Sequence, residues 1–146
     1  MNNKCKFCKI INNAENLKKK ILFQDEKVIM FSDYRPICEV HLQCIPKIHI
    51  KNINSLTKEH IPLLLHMKEV AKKFLIDSYK AKENEIVMGF HIPPWNSIDH
   101  LHMHCMKPPF KNERTRSYNC DLIMIKIDKE IEALENNNNN IKKNAK

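Results

Sequence analysis

Glycine is nearly absent from this chain, because Gly89 is the only one among 146 residues. Phosphate-binding loops of the P-loop and G-x-G-x-x-G types need several glycines, since their backbone approaches the phosphate closely. The sequence therefore excludes both loop types. If the protein binds a nucleotide, imidazole rings and a few loop amides must hold the phosphate.

Long apolar runs are also missing. The chain opens Met-Asn-Asn-Lys without an apolar signal segment, and its apolar stretches are too short to span a bilayer. We therefore expect no membrane association and an intracellular location, cytoplasmic or nuclear. In a reducing compartment the six cysteines should be free thiols or metal ligands rather than disulfides.

Acidic residues are outnumbered, which gives a formal net charge of +8. Such a charge favours polyanionic or phosphorylated partners. Part of it is peripheral, however, in the cluster 18–20 and in the C-terminal lysines, where charge runs are usually solvated. Nucleic-acid binding is therefore possible but not indicated.

Hydrophobic periodicity predicts strands at 27–31, 41–46, 85–90, 98–106 and 122–127, one long helix at 57–79 and a short one at 128–134. Strands, then a helix, then more strands indicate an α+β fold with an antiparallel sheet of about five strands. We expect residues 1–135 to form a single domain. The Asn/Lys-rich segment 136–146 should be a disordered tail.

Three histidines at alternate positions, His100, His102 and His104, are the main chemical signal, with Leu101 and Met103 between them. On an extended strand the three rings share one face. Near neutral pH one ring can be a nucleophile while another binds an anion. This pattern favours a chemical site, and the alternatives are a zinc or copper site or half-buried histidines bonded to backbone carbonyls.

Other segments offer a shell around the three histidines. Asp33, at a strand end, can accept hydrogen bonds from ribose hydroxyls or can initiate a turn. Ser97 can donate to a phosphate or leaving group, or be a plain loop serine. His41 and His49 reach the three histidines only if their strand lies beside them.

The pair Cys5-x-x-Cys8 favours zinc or simple packing over redox chemistry. A thioredoxin-type pair needs a strand before it, and almost no chain precedes Cys5. Zinc needs four ligands, of which the local chain supplies two.

The run from His100 to His104, followed by two apolar residues, resembles the signature of the histidine triad (HIT) superfamily of nucleotide hydrolases and transferases. Residues 31–33 (Phe-Ser-Asp) resemble its ribose-binding strand end, and residues 44–50 (Cys-Ile-Pro-Lys-Ile-His-Ile) its I-P-K-x-H-I segment. Residues 5–11 resemble its zinc-bearing N-terminal motif. Within the superfamily, residues 88–98 are most similar to the Hint branch.

This resemblance implies a HIT-like fold with short terminal helices, and it implies roles for individual residues. His102 would attack the α-phosphorus and form a nucleotidyl-histidine that water hydrolyses. His104 would contact the phosphate and leaving group, and Ser97 would hold the phosphoryl oxygens or leaving nitrogen. His41 would orient the catalytic rings.

The resemblance also implies the binding residues. Asp33 would take the ribose hydroxyls. An apolar slot around the base would be formed by Phe7, Ile10 and Phe31. Zn²⁺ would be held by Cys5, Cys8, His49 and His100, and no organic cofactor is expected.

The implied function is hydrolysis of a nucleoside 5'-phosphoramidate or acyl-adenylate, with purine nucleotides such as AMP derivatives preferred, by a homodimer built around the long helix and a sheet strand. Alternatives are hydrolysis of dinucleoside polyphosphates or DNA-adenylates, and a non-catalytic nucleotide-binding or interaction module. The chain departs from the family pattern at Gly89, where many members carry a phosphate-side asparagine, and at residues 93–95 (Pro-Pro-Trp). Asp99 precedes the three histidines, and its charge could either raise the pKa of the rings or point to solvent.

Overall fold

The computed structural model describes residues 4–18 and 20–136. Apart from Asn136, the predicted tail lies outside these residues. Six strands form one antiparallel sheet in the order β1-β2-β3-β5-β4-β6. They are β1 (Ile21–Gln24), β2 (Val28–Ser32), β3 (Cys38–Pro46), β4 (Val87–His91), β5 (Met103–Phe110) and β6 (Met124–Lys126). The helices are α1 (Lys6–Asn12), α2 (Ile61–Tyr79), α3 (Glu113–Ser117) and α4 (Ile127–Glu135).

The predicted α+β fold with one long helix and short terminal helices is confirmed, with six strands in place of about five. The strand that the sequence did not predict is β1. Its four residues are neither alternating nor strongly buried, and the strand exists because it pairs with β2. The periodicity rule fails for a segment this short.

Helix α2 packs one side on the sheet. Pro62 falls in its first turn, where a missing N–H costs nothing, and the 3-10 turn Lys58–His60 precedes it. Its buried side chains are spaced three or four residues apart and are Leu64, Met67, Ala71 and Leu75. Each large apolar side chain buried in this way stabilises the fold by roughly 1.5–3 kcal/mol.

The predicted histidine strand was wrong at its start. Strand β5 begins at Met103, because Leu101 N–H donates to the Ile50 carbonyl instead of to a neighbouring strand. Leu101 and Met103 still enter the core, so the apolar and histidine positions remain separated. The histidine side is buried as well, since His100, His102 and His104 are at most 5% exposed.

The C-terminal elements cover one edge of the sheet. Strand β6 pairs with residues Gly89 to His91 of β4, and α4 follows against α2, where Lys68 and Asp128 form an ion pair of 2.6 Å. A Cβ on Gly89 would lie 2.6 Å from the Ile125 carbonyl oxygen. This glycine is therefore required by the close passage of β6.

No helix within residues 4–18 and 20–136 is both long and apolar enough to cross a membrane. The intracellular location and the single-domain boundary stay predictions.

Candidate functional site

His100 lies in a cluster with two thiols and a second imidazole. Its Nε2 donates to the Pro46 carbonyl at 2.8 Å, which leaves the lone pair of Nδ1 facing the cluster. Nδ1 lies 3.5 Å from Cys5 Sγ, 3.6 Å from Cys8 Sγ and 3.2 Å from His49 Nδ1. Cys8 Sγ lies 3.3 Å from His49 Nδ1. The four predicted zinc ligands are thus brought together.

These spacings fit a tetrahedral zinc ion. In a tetrahedron, bonds of about 2.3 Å to sulfur and about 2.05 Å to nitrogen separate ligand atoms by about 3.3–3.8 Å. All four donor atoms lie within 4.8 Å of one another. The hydrogen bond from His100 Nε2 to the Pro46 carbonyl fixes the ring tautomer in which Nδ1 could bind a metal.

His102 presents the opposite ring nitrogen. Its Nδ1 donates to the His100 carbonyl at 2.7 Å, so the lone pair is on Nε2. Its ring packs edge-on against Phe7, with centroids 5.3 Å apart. Burial lowers the pKa of His102 below its ordinary value. His102 therefore combines a neutral ring with an unshared electron pair, which is what a nucleophile requires.

His104 is oriented by a chain of hydrogen bonds. Ile37 N–H donates to His41 Nδ1 at 3.2 Å, which leaves the proton of the neutral His41 ring on Nε2. That Nε2–H donates to His104 Nδ1 at 2.8 Å. The neutral His104 ring then carries its proton on Nε2, which is buried and has no partner.

Asp33 supports this chain. One carboxylate oxygen lies 3.3 Å from His41 Nε2 and accepts from Gln43 Nε2 at 2.7 Å. The other accepts from Arg35 N–H at 2.7 Å, which is the turn contact predicted as the alternative role of Asp33. Both oxygens have partners, so ribose hydroxyls would have to share or replace them.

One further histidine, His91, lies beside His104, and it was not predicted as a site residue from the sequence. Its ring centroid lies 4.3 Å from that of His104, and its Nε2 is buried without a partner. Burial lowers its pKa to about 4, and a hydrogen bond to the backbone of Tyr118 partly offsets this. No pattern along the chain marks His91. It reaches the site because Gly89, two residues earlier on the same strand, pairs with His104.

A cleft of about 1120 Å³ opens over His41, His91 and His104. Its lining includes every predicted nucleotide contact except His102, namely Phe7, Ile10, Phe31, Asp33, Ser97 and His104. His102, 5% exposed, borders a smaller recess that shares His91 and Ile98 with the cleft.

Ser97 and Asp99, which precede the three buried histidines in sequence, are both exposed. Ser97 lines the cleft but is exposed and makes no hydrogen bond in the free structure. Asp99 is exposed and accepts from Asn96 Nδ2 at 3.1 Å. No contact of Asp99 with a site histidine is present, and burial lowers the pKa of His102 and His104 rather than raising it.

Burial dominates the electrostatics of the site. It lowers the pKa of His41 and takes that of His104 well below the ordinary value, with the neighbouring histidines adding to the effect. The rings that face the cleft are thus neutral at pH 7. They act through lone pairs and N–H groups rather than through fixed positive charge.

Sequence comparison gives relatives of this chain. A family model described as "Scavenger mRNA decapping enzyme C-term binding" matches residues 4–118. The bifunctional adenosine 5'-phosphosulfate phosphorylase/adenylylsulfatase HINT4 of Arabidopsis thaliana is 39% identical over 112 residues, which are 75% of this chain and 74% of that protein. The adenosine 5'-monophosphoramidase HINT3 of Xenopus tropicalis is 38% identical over 104 residues, 71% and 67% of the two chains.

Structure comparison agrees. A HIT family hydrolase from Clostridium thermocellum superposes with a TM-score of 0.66 at 26% identity, over 77% of this chain and 96% of the other.

Proposed function

This chain belongs to the histidine triad (HIT) family of nucleotide hydrolases, and on that premise we propose that it hydrolyses a nucleoside 5'-phosphoramidate, or the related acyl-adenylate, to the nucleoside monophosphate. The observation that carries the proposal is the hydrogen bond from His102 Nδ1 to the His100 carbonyl. It leaves Nε2 as the one nucleophilic atom of that ring.

The reaction has two steps. In the first, a bond forms between His102 Nε2 and the α-phosphorus while the phosphorus–nitrogen bond breaks. The electron pair of the broken bond leaves on nitrogen, which takes one proton that solvent supplies through His104 Nε2, and the group departs as the amine. In the second, water attacks the phosphorus and returns one proton by the same route, giving the monophosphate and free His102.

The surrounding contacts support these roles. His104 Nε2–H is buried and unpartnered, so it can meet the charge that develops on the phosphoryl oxygens or leaving group. His41 holds that ring from behind at 2.8 Å. Ser97 would reach the leaving group from the exposed loop, and Asp33 would accept the ribose hydroxyls.

The names of the relatives support an adenine nucleotide as the part of the substrate that carries the α-phosphorus. The Arabidopsis and Xenopus proteins are named for different leaving groups, and both names begin with an adenosine 5'-phosphoryl compound. In this chain the base would lie against Phe7, Ile10 and Phe31, where Phe7 and Phe31 pack edge-on at 5.6 Å. An apolar slot of this kind accepts a purine with little hydrogen-bond readout.

The direct test is turnover of adenosine 5'-phosphoramidate, diadenosine triphosphate and 5'-adenylated DNA by the purified protein. We expect the phosphoramidate to be hydrolysed fastest, and His102→Asn to lose at least about 10³-fold in kcat/KM while its melting temperature is retained. Mass spectrometry of acid-quenched protein should place an adenylyl group on the peptide with His102. Binding of AMP without turnover of any of the three substrates would instead support a non-catalytic nucleotide-binding module.

A structural zinc ion is the second proposal. Cys5, Cys8, His49 and His100 would hold it, and it would fix the N-terminal helix α1 against the segment that carries the catalytic pair. Metal analysis of protein purified without added metal should give about one zinc per chain. A stoichiometry well below one would contradict the proposal.

The homodimer stays a prediction, and the structure restricts its form. The outer edge of β4 pairs with β6 of the same chain, so a dimer cannot extend the sheet through β4 unless the C-terminal elements move. The molecular mass in solution, compared for the whole chain and a chain ending before Met124, measures whether they block association.

A further inference from the structure

The aromatic side chains of this protein are distributed unevenly. The chain has one tryptophan and three tyrosines, and three of these four residues line the cleft over His104. They are exposed, Tyr34 by 84%, Trp95 by 56% and Tyr118 by 38%. Exposed large rings gathered at one concave site mark a binding surface rather than a part of the core.

The rings of the site give the cleft two ends. Phe7 contacts His102 with centroids 5.3 Å apart, His102 contacts His104 at 5.2 Å, and His104 contacts His91 at 4.3 Å. The base slot lies at the Phe7 end. The opposite end begins at His91, whose ring is hydrogen-bonded to the backbone of Tyr118. Trp95 lies in the turn directly after His91 in sequence.

Because a scissile bond held between His102 and His104 has the nucleotide on the Phe7 side, its leaving group must extend toward His91. We propose that this end of the cleft is a leaving-group subsite for a planar aromatic ring, which stacks on Trp95 and Tyr118. The inference rests on the proposed hydrolase function and names the class of its leaving group.

Polar chemistry at this end agrees with a ring that carries a linking atom. The buried Nε2 of His91 has no partner and can accept a hydrogen bond from the linking N–H, as an otherwise unsatisfied buried group should. Arg35, which also lines the cleft, lies 5.2 Å over the Tyr34 ring and supplies a positive charge there. The aromatic ring of the leaving group could be attached through an amine or through a phosphate, as in a second nucleotide. Both leaving groups present a planar face, but only the phosphate linkage carries a negative charge.

The test compares two adenosine phosphoramidates whose amines differ only in planarity, 2-phenylethylamine and 2-cyclohexylethylamine. We expect the wild-type protein to prefer the phenyl compound by about tenfold in kcat/KM, equivalent to about 1.4 kcal/mol, which is near the upper end for an aromatic stacking contact. Trp95→Leu and Tyr118→Leu should each reduce this ratio to below about threefold. Leu65→Ala, an exposed apolar site on α2, is the matched control and should leave the ratio unchanged.

The unsubstituted phosphoramidate normalises each variant, and diadenosine triphosphate distinguishes a phosphate-linked ring from an amine-linked one. If Arg35→Leu lowers turnover of the triphosphate but not of the phenyl compound, the subsite serves a second nucleotide. Equal rates on the phenyl and cyclohexyl compounds, with the unsubstituted compound hydrolysed, would overturn this inference alone. No hydrolysis of any phosphoramidate would overturn the proposed function and this inference with it.

Discussion

The two ends of the histidine segment use the same side chain for opposite purposes. At His100 the free nitrogen faces inward, toward Cys5, Cys8 and His49 at 3.2–3.6 Å. At His102 and His104 the free Nε2 atoms are kept apart from such donors. The His100 end brings several metal-binding lone pairs together. The other end has a lone pair on His102 Nε2 and an N–H on His104 Nε2.

The difference comes from what the second ring nitrogen binds. Nε2 of His100 donates to the Pro46 carbonyl, Nδ1 of His102 donates to the His100 carbonyl, and Nδ1 of His104 accepts from His41. A neutral imidazole has one donor and one acceptor, so each contact determines the chemistry of the remaining nitrogen. Backbone and neighbouring rings therefore assign the roles.

The largest effect should follow from breaking the cluster end. Cys8→Ser removes one of the four proposed zinc ligands. We expect zinc content to fall well below one per chain and the melting temperature to fall by at least about 10 °C, since structural zinc contributes several kcal/mol to folding. Calorimetry and metal analysis measure both. Cys120→Ser, at the exposed cysteine, is the control. Equal melting temperatures for the two variants would remove the cluster's structural role.

The next effect should come from the catalytic end. His41→Phe removes the donor to His104 Nδ1, and we expect kcat to fall by about 10–100-fold with little change in KM, as for other outer-shell contacts. His41→Gln, whose amide N–H can donate, should recover part of the rate. Zinc content is the control and should stay at the wild-type level. Loss of zinc in His41→Phe would mean that the two ends are not independent.

Acid should reveal the burial of the catalytic end. The folded pKa of His91 is about 4, below the ordinary value of 6.5. As the pH falls below 6.5, the unfolded ring binds a proton that the folded ring refuses, so the free energy of unfolding falls toward pH 4. His91→Asn should make this fall shallower by about 2 kcal/mol between pH 7 and pH 5, measured by urea unfolding. An unchanged pH dependence would mean that the ring is not buried as described.

The smallest effect should be at Ser97. Because this exposed hydroxyl has a single O–H, it can donate only one hydrogen bond to the leaving group in the transition state. Ser97→Ala should cost no more than about tenfold in kcat/KM for the phosphoramidate, the value of one hydrogen bond. Ser55→Ala, outside the cleft, is the control. A loss near that of His102→Asn would make Ser97 part of the central machinery.

Alternation along the chain predicted that the apolar side chains between the histidines enter the core, which holds for Leu101 and Met103, although only His104 of the three histidines lies on β5. The grouping of Cys5 and Cys8 with His49 and His100 came from resemblance to a family. Spacing could not give it, since the two pairs are joined only by tertiary packing. The start of β5 was misjudged because Leu101 bonds to Ile50, a contact that no pattern along the chain reveals.

His91 shows the other limit of sequence reasoning. It is one histidine at the end of a short strand, without periodic partners, and it joins the site only because β4 pairs with β5. Ser97 and Asp99 show the reverse, since both adjoin the histidines in sequence and both are exposed. Nearness along the chain is a poor guide to a loop residue's environment, whereas strand pairing is a good one.

Phe7 stands between the two cysteines of the cluster, and its ring contacts both His100 and His102, at 5.8 and 5.3 Å. The same side chain is thus a wall of the nucleotide cleft and a part of the helix that the cluster anchors. The proposed metal and the proposed nucleotide would therefore be linked ligands in the thermodynamic sense. If the metal improves nucleotide affinity by holding Phe7, the nucleotide must retain the metal more tightly by the same factor. Nucleotide-dependent slowing of zinc release to a chelator would measure that shared free energy without any turnover.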